Sequence, residues 1–192
     1  MSPETLDQEA VLEILRSQGA LRRGHFLLSS RRHSETYVEK ARVFEDPGIT
    51  IRLGNQIASW YPEVDVVVSP AVGAIPLGFA VALAAGARFV YAERREDRMA
   101  LRRGFRLVEG ERALVVEDVV TTGGSAAEVH ALVASSGAHP LGVAALVDRS
   151  STAMAFPLRA LSRVEAPSFE PQECPLCRRG LPVETPGSRQ AG

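Results

Sequence analysis

RALVVEDVVTTGGSAAEV, residues 112–129, is the stretch whose reading decides the fold. Ala113 to Val116 is a short apolar run without polar interruption, which suits a strand buried on both faces of a parallel sheet. It ends in two adjacent carboxylates, Glu117 and Asp118, followed by a Val-Val-Thr-Thr-Gly-Gly-Ser turn, and helical spacing begins at Ser125. The turn therefore lies at the carboxyl end of a strand and the amino end of a helix, where open α/β sheets bind ligands.

Backbone amides of Thr121 to Ser125 lack partners at a helix start, Gly123 and Gly124 permit close backbone approach, and three hydroxyls add donors. Such a turn is shaped for a phosphate monoester. It has neither the lysine nor the spacing of a nucleoside-triphosphate loop. Glu117 and Asp118 would repel phosphate, but they suit ribose hydroxyls or the neighbourhood of a bound Mg²⁺. A carboxylate pair followed by a phosphate cradle describes a sugar phosphate. An ordinary strand-to-helix turn with a serine cap is the plain alternative, and the attached Glu-Asp and Thr-Thr pairs argue against it.

Working outward, Thr5 to Gln18 carries apolar residues at helical spacing and stops at Gly19. Residues 24–40 read as two extended pieces, Phe26–Leu28 and Thr36–Glu39, around a polar turn, which suits a small lid. Asp46-Pro47 caps and opens a helix to about Trp60. Val64 to Ser69 is a buried strand running into a small-residue turn, Ala71-Val72-Gly73-Ala74, and a helix to about Ala85. Arg88–Ala92, Gly142–Val147 and Leu158–Val164 complete the strands. Strand and helix alternate, so the expected class is α/β, a parallel sheet with helices on both faces and a small N-terminal lid. Glu93 to Gly110 is arginine-rich and nearly without period, and is read either as a solvated hairpin or as a mobile functional loop.

The 192 residues are 45% hydrophobic, which fits one domain over the whole chain, with a lid at about 20–45, an active-site loop at 93–110 and a tail from 167 that frays in PGSRQAG. Net charge is −1, with 22 basic and 23 acidic residues, so nothing in the charge favours a nucleic-acid or membrane partner. The amphipathic acidic start is no signal peptide and no apolar run approaches the ~20 residues of a membrane span, which points to the cytoplasm. Cys174 and Cys177 are half of a zinc site by spacing, with no second pair and no neighbouring histidine in sequence; two reduced thiols in a C-terminal turn are expected. Lys40 is the one lysine among 22 basic residues, which marks a position where a compact ammonium is wanted.

VVEDVVTTGGS resembles the phosphoribosyl-pyrophosphate signature of the type I phosphoribosyltransferases. Three further segments resemble orotate phosphoribosyltransferases in particular: Phe26-Leu27-Leu28-Ser29-Ser30 with a basic turn and Tyr37, the run Ser69 to Pro76, and Val147-Asp148-Arg149. The resemblance covers roughly residues 10–180. It implies the type I phosphoribosyltransferase fold and a pentosyl transfer from 5-phosphoribosyl 1-pyrophosphate to orotate, giving orotidine 5'-monophosphate and pyrophosphate in pyrimidine biosynthesis.

By the same resemblance, Glu117 and Asp118 hold the ribose, Val119 to Ser125 the 5-phosphate, and Ala71 to Ala74 the Mg²⁺-bound pyrophosphate. Mg²⁺ is reached through the pyrophosphate, and no residue is assigned as its direct ligand. Thr121, Arg149 and Phe26 contact orotate, and a homodimer brings loop 93–110 to the neighbouring site. The family's lid lysine is Ser29 here, and its loop lysines and histidine are absent from 93–110. Arg94, Arg102 and Arg103 are expected to neutralise the pyrophosphate instead, and Lys40 to reach substrate. A purine phosphoribosyltransferase and a non-catalytic regulator of the same fold are the rival readings.

Overall fold

The apolar run of 113–116 forms the middle of the sheet in the structure, a computed structural model that describes residues 5–28 and 30–186. In chain order the elements are α1 (Gln8–Ser17), β1 (Leu21–Leu27), β2 (His33–Val38), α2 (Ala41–Phe44), α3 (Pro47–Ala58), β3 (Val66–Pro70), α4 (Ile75–Ala85) and β4 (Arg88–Arg95). There follow β5 (Arg98–Leu101), β6 (Arg112–Val120), α5 (Gly124–Ser135), β7 (His139–Asp148), β8 (Leu158–Arg163), β9 (Ser168–Phe169) and α6 (Pro175–Arg178).

Six strands make the main sheet in the order β5-β4-β3-β6-β7-β8. All neighbours are parallel except β5, which pairs antiparallel with β4. Strand β6 lies between β3 and β7, and its Ala113, Leu114, Val115 and Val116 are wholly buried. Alternate residues serve opposite faces. Leu114 and Val116 pack with Val67 and Leu146 beneath α1, α3 and α4, while Ala113 and Val115 pack with Val66 and Val68 against Ala126, Val129 and Val133 of α5. Each leucine or valine among them stabilises by about 1.5–3 kcal/mol relative to exposure, so both faces help to hold β6 central. This is the expected α/β sandwich. Asp46 caps α3 as read, its side chain accepting from the Ile49 amide at 3.1 Å.

Glu93 to Gly110 begins as the end of β4 and turns into β5, so part of it is a hairpin at the sheet edge, one of the two readings of this segment. The lid is a three-stranded antiparallel sheet, β1-β2-β9, whose third strand comes from the tail. Ser29 and residues 187–192, the end of the stretch expected to fray, lie outside the described residues.

Strand β1 has a bulge between Arg23 and Phe26, so the neighbours His25 and Phe26 are both buried instead of alternating. The C-terminal segment docks on that strand: the Glu184 amide donates to His25 O and the Leu27 amide to Glu184 O. Bulge and docking together bring His25 and His33 to Cys174 and Cys177. The expectation of a cysteine pair without histidines is thereby corrected; the partners are distant in sequence and adjacent in space.

Candidate active site

At the carboxyl end of β6 the chain leaves the sheet, and a cleft of about 170 Å³ opens there. Its lining is Lys40 and the unbroken run Glu117, Asp118, Val119, Val120, Thr121, Thr122, Gly123, Gly124, Ser125 and Ala126. The structure thus gathers the expected ribose and phosphate residues into one wall, and adds Ala126, which carries no chemical signal in sequence. Gly123 is the N-cap of α5 with φ of 75°, a left-handed backbone that glycine adopts without strain. A side chain there would also strike Met154 Sδ at 2.5 Å. The first amides of α5 have no acceptor within the helix and face the cleft end of the dipole, the arrangement that binds an anion.

The two carboxylates are buried, Glu117 8% and Asp118 2% exposed. Each is fixed by main chain: the Asp118 amide donates to Glu117 Oε1 at 3.0 Å and the Val119 amide to Asp118 Oδ1 at 2.6 Å. Asp118 Oδ2 lies 2.6 Å from Lys40 Nζ, an ion pair without hydrogen-bond alignment. Burial, and then the charge of Asp118, push the Glu117 carboxyl up to about 8. The pair therefore holds a proton at neutral pH.

That proton has a measurable consequence. Above the ordinary carboxylate range the folded chain keeps a proton that the unfolded chain has lost, so Glu117 makes the fold less stable as pH rises from about 4.5 to about 8. The slope for one such group reaches at most about 1.4 kcal/mol per pH unit. Glu117→Gln removes it. Relative to wild type, the variant's Tm should gain about 3 °C or more between pH 5 and pH 8.5. Parallel Tm profiles across that window would show that Glu117 is charged in the folded protein.

The turn after β3 borders the same cleft. Ala71-Val72 is a cis peptide, and a Cβ at Gly73 would overlap Asp118 Oδ2 and stand 2.8 Å from Lys40 Nζ. Only glycine lets this backbone approach the ion pair so closely. Gly73 of this turn and Lys40 thus stand together at the Asp118 carboxylate.

Arg149 is positioned by its own main chain, its amide donating to Val120 O at 2.8 Å, so it stands beside Thr121. The preceding Asp148 is turned away, accepting from the Ser150 amide and pairing with Arg163. Arg149 Nε is buried without a hydrogen-bond acceptor. Burial lowers the guanidinium from its ordinary value, opposed by Tyr37. Tyr37 itself, half-buried on β2, is raised by burial and then by Glu39, so it remains a neutral phenol.

Four expected site residues stand elsewhere. Phe26 is wholly buried in the lid, its ring 5.6 Å from that of Tyr37 and beneath the Arg22 guanidinium. Arg94 is bound to Glu128 of α5 at 2.9 Å, and Arg103 to Glu93 at 3.0 Å. Exposed Arg102 has no salt-bridge partner among the described residues. None of the three arginines lines this chain's own cleft.

Residues 44–156 match the phosphoribosyl transferase domain family. The chain is 43% identical over 189 residues to the orotate phosphoribosyltransferase of Caldanaerobacter subterraneus subsp. tengcongensis, a match spanning 96% of this chain and 100% of that one. It is 45% identical over 183 residues to the enzyme of the same description from Thermotoga petrophila, covering 93% and 98%. Among solved structures it resembles orotate phosphoribosyltransferase from Aeropyrum pernix, with a TM-score of 0.69 at 24% identity over 81% of this chain and 94% of that one. The Mycobacterium tuberculosis H37Rv enzyme in complex with inorganic phosphate matches with a TM-score of 0.62 at 29% identity, covering 82% and 95%.

Proposed function

The chain belongs to the orotate phosphoribosyltransferases, within the phosphoribosyl transferase domain family, and from that premise we propose how its own residues carry the reaction. The 5-phosphate of 5-phosphoribosyl 1-pyrophosphate is held by Thr121 to Ser125, and the ribose hydroxyls by Glu117 and Asp118. Arg149 pairs with the orotate carboxylate, beside Thr121 and the Tyr37 phenol. Phe26 acts at one remove, packing on Tyr37. Orotate displaces pyrophosphate at the anomeric carbon, giving orotidine 5'-monophosphate.

The observation that most supports this reading is the buried Arg149 Nε without an acceptor, next to the sugar-phosphate cradle. A guanidinium presents two parallel donors to one carboxylate, which a purine lacks. As the bond to pyrophosphate breaks, positive charge grows on the sugar, and the preplaced Glu117–Asp118 pair lowers that barrier. Lys40 and the close backbone of Ala71 to Ala74 receive the departing pyrophosphate.

Mg²⁺ fits this site, whose wall carries the carboxylates of Glu117 and Asp118 and the hydroxyls of Thr121, Thr122 and Ser125, the hard oxygen donors that Mg²⁺ takes. Carried by the pyrophosphate, it would supply charge neutralisation to the leaving group. A homodimer is part of the proposal, with Arg102 and Arg103 serving the neighbouring cleft. Phe79 and Leu83 of α4, 57% and 62% exposed, give an apolar surface suited to a second copy. No helix among the described residues is long and apolar enough to cross a membrane, and we place the enzyme in the cytoplasm.

The deciding assay follows orotate absorbance with purified protein, 5-phosphoribosyl 1-pyrophosphate and Mg²⁺, with adenine, hypoxanthine and uracil in parallel. Consumption confined to orotate and dependent on Mg²⁺ is expected. Turnover of a purine with silence toward orotate would sink the role given to Arg149.

A further inference from the structure

Outside the residues that line the cleft, four side chains from three pieces of chain converge. His25 comes from β1, His33 from β2, and Cys174 and Cys177 from the cap and first turn of α6. Their ligating atoms all lie within 4.8 Å of one another. His25 Nε2 is 2.8 Å from His33 Nδ1, 3.5 Å from Cys174 Sγ and 3.7 Å from Cys177 Sγ. Cys177 Sγ is 3.3 Å from His33 Nδ1. Around tetrahedral zinc, the ordinary metal–ligand lengths imply edges of about 3.4 Å between nitrogens and about 3.6 Å between nitrogen and sulfur. The observed nitrogen–sulfur separations bracket that edge.

The ring of His25 is already oriented for a metal. Its Nδ1 lies 2.9 Å from the Leu181 carbonyl, which can only accept, so Nδ1 carries the proton and Nε2 turns a lone pair toward the cluster. His25, His33 and Cys174 are 3%, 7% and 0% exposed. A hydrogen bond between two core histidines would explain one of these contacts. It does not explain two thiols, both unpaired in disulfides, converging on the same nitrogens.

We propose that His25, His33, Cys174 and Cys177 bind one structural Zn²⁺ ion. Four protein ligands close the coordination sphere and leave no position for substrate, which separates this site from catalysis. Imidazoles and thiolates select a borderline-soft ion over Mg²⁺. Binding displaces the two thiol protons to solvent and fastens the segment 174–184 onto β1, where Glu184 already bonds His25 and Leu27 through main chain. The metal thus joins the tail to the lid that carries Tyr37.

The test uses the full chain. Metal analysis of protein purified without chelator should find one zinc per chain. After stripping, Co²⁺ should be taken up with the visible bands of tetrahedral cobalt and a sulfur-to-cobalt charge-transfer band, while Mg²⁺ produces neither. Stripping should lower Tm by about 5 °C or more, and zinc should restore it. Cys177→Ser should lose the charge-transfer intensity of one thiolate. Stripped wild-type protein that gives no tetrahedral cobalt spectrum would overturn the proposal, a result that does not depend on any variant folding. Cobalt bands undiminished in Cys174→Ser and Cys177→Ser would overturn it as well.

Discussion

Arg149→Met should lower kcat/KM for orotate by about 10²–10³-fold while leaving the Tm unchanged or raised. Both halves follow from the same observation. Arg149 Nε is buried with no acceptor, and a buried unpaired donor destabilises a fold by about 1–3 kcal/mol. Methionine has similar length and no such donor, so the free protein loses nothing by the exchange. The bound orotate carboxylate, by contrast, would be left buried without its cation, and breaking one partner of a desolvated charge pair costs about 2–5 kcal/mol. KM for 5-phosphoribosyl 1-pyrophosphate should move little, because the phosphate turn and carboxylates are untouched. Arg149→Lys should recover only part of the loss, since an ammonium cannot present two parallel donors. A Tm that falls in step with activity, or an equal rise in both KM values, would make Arg149 structural.

The sheet was legible because β6 lacks competing signals. Ala113 to Val116 is too short for a helix and too apolar for a surface strand, and the change of period at the Gly-Gly-Ser turn marks where β6 gives way to α5. Glu117 and Asp118 were legible as chemistry though not as strand: β6 runs through them to Val120. Their side chains are buried at the ligand end because main-chain amides and Lys40 hold them. The solitary lysine, Lys40, precedes α2 and lines the cleft beside Asp118.

What stayed hidden depended on contacts between distant residues. Nothing local ties Cys174 to His25, which are 149 positions apart, and no periodicity announces the bulge that buries His25. The extent of the β4–β5 hairpin was obscured because β4 runs past its last pairing with β3, at Ala92, and exposed Arg94 and Arg95 there pair only with the edge strand β5, so the strand read as ending at Ala92. Arg94 was expected near pyrophosphate; Glu128, on α5, holds it at the sheet edge.

Asp118→Asn is expected to reduce kcat by about 10²–10³-fold with Tm held within about 2 °C. Asparagine keeps the shape and one oxygen acceptor, so the Val119 amide retains its bond and the buried position stays filled. The negative charge is what goes, and it is needed only as the sugar becomes cationic. Lys40 loses its ion-pair partner, but its side chain is 41% exposed and water screens the released ammonium. Lys40→Arg should be impaired for a different reason: Gly73 crowds the Nζ position, and a planar fork does not fit between that backbone and Asp118. The Asp118→Asn protein also reports on the neighbouring subunit. In Arg102→Ala/Arg103→Ala the cleft is intact, and in Asp118→Asn the loop is intact. If the loop serves the partner's cleft, refolding the two inactive proteins together creates mixed dimers with one complete site, restoring about a quarter of wild-type activity. Mixtures no more active than their components would confine each loop to its own chain, and the arginines would lose their assigned role.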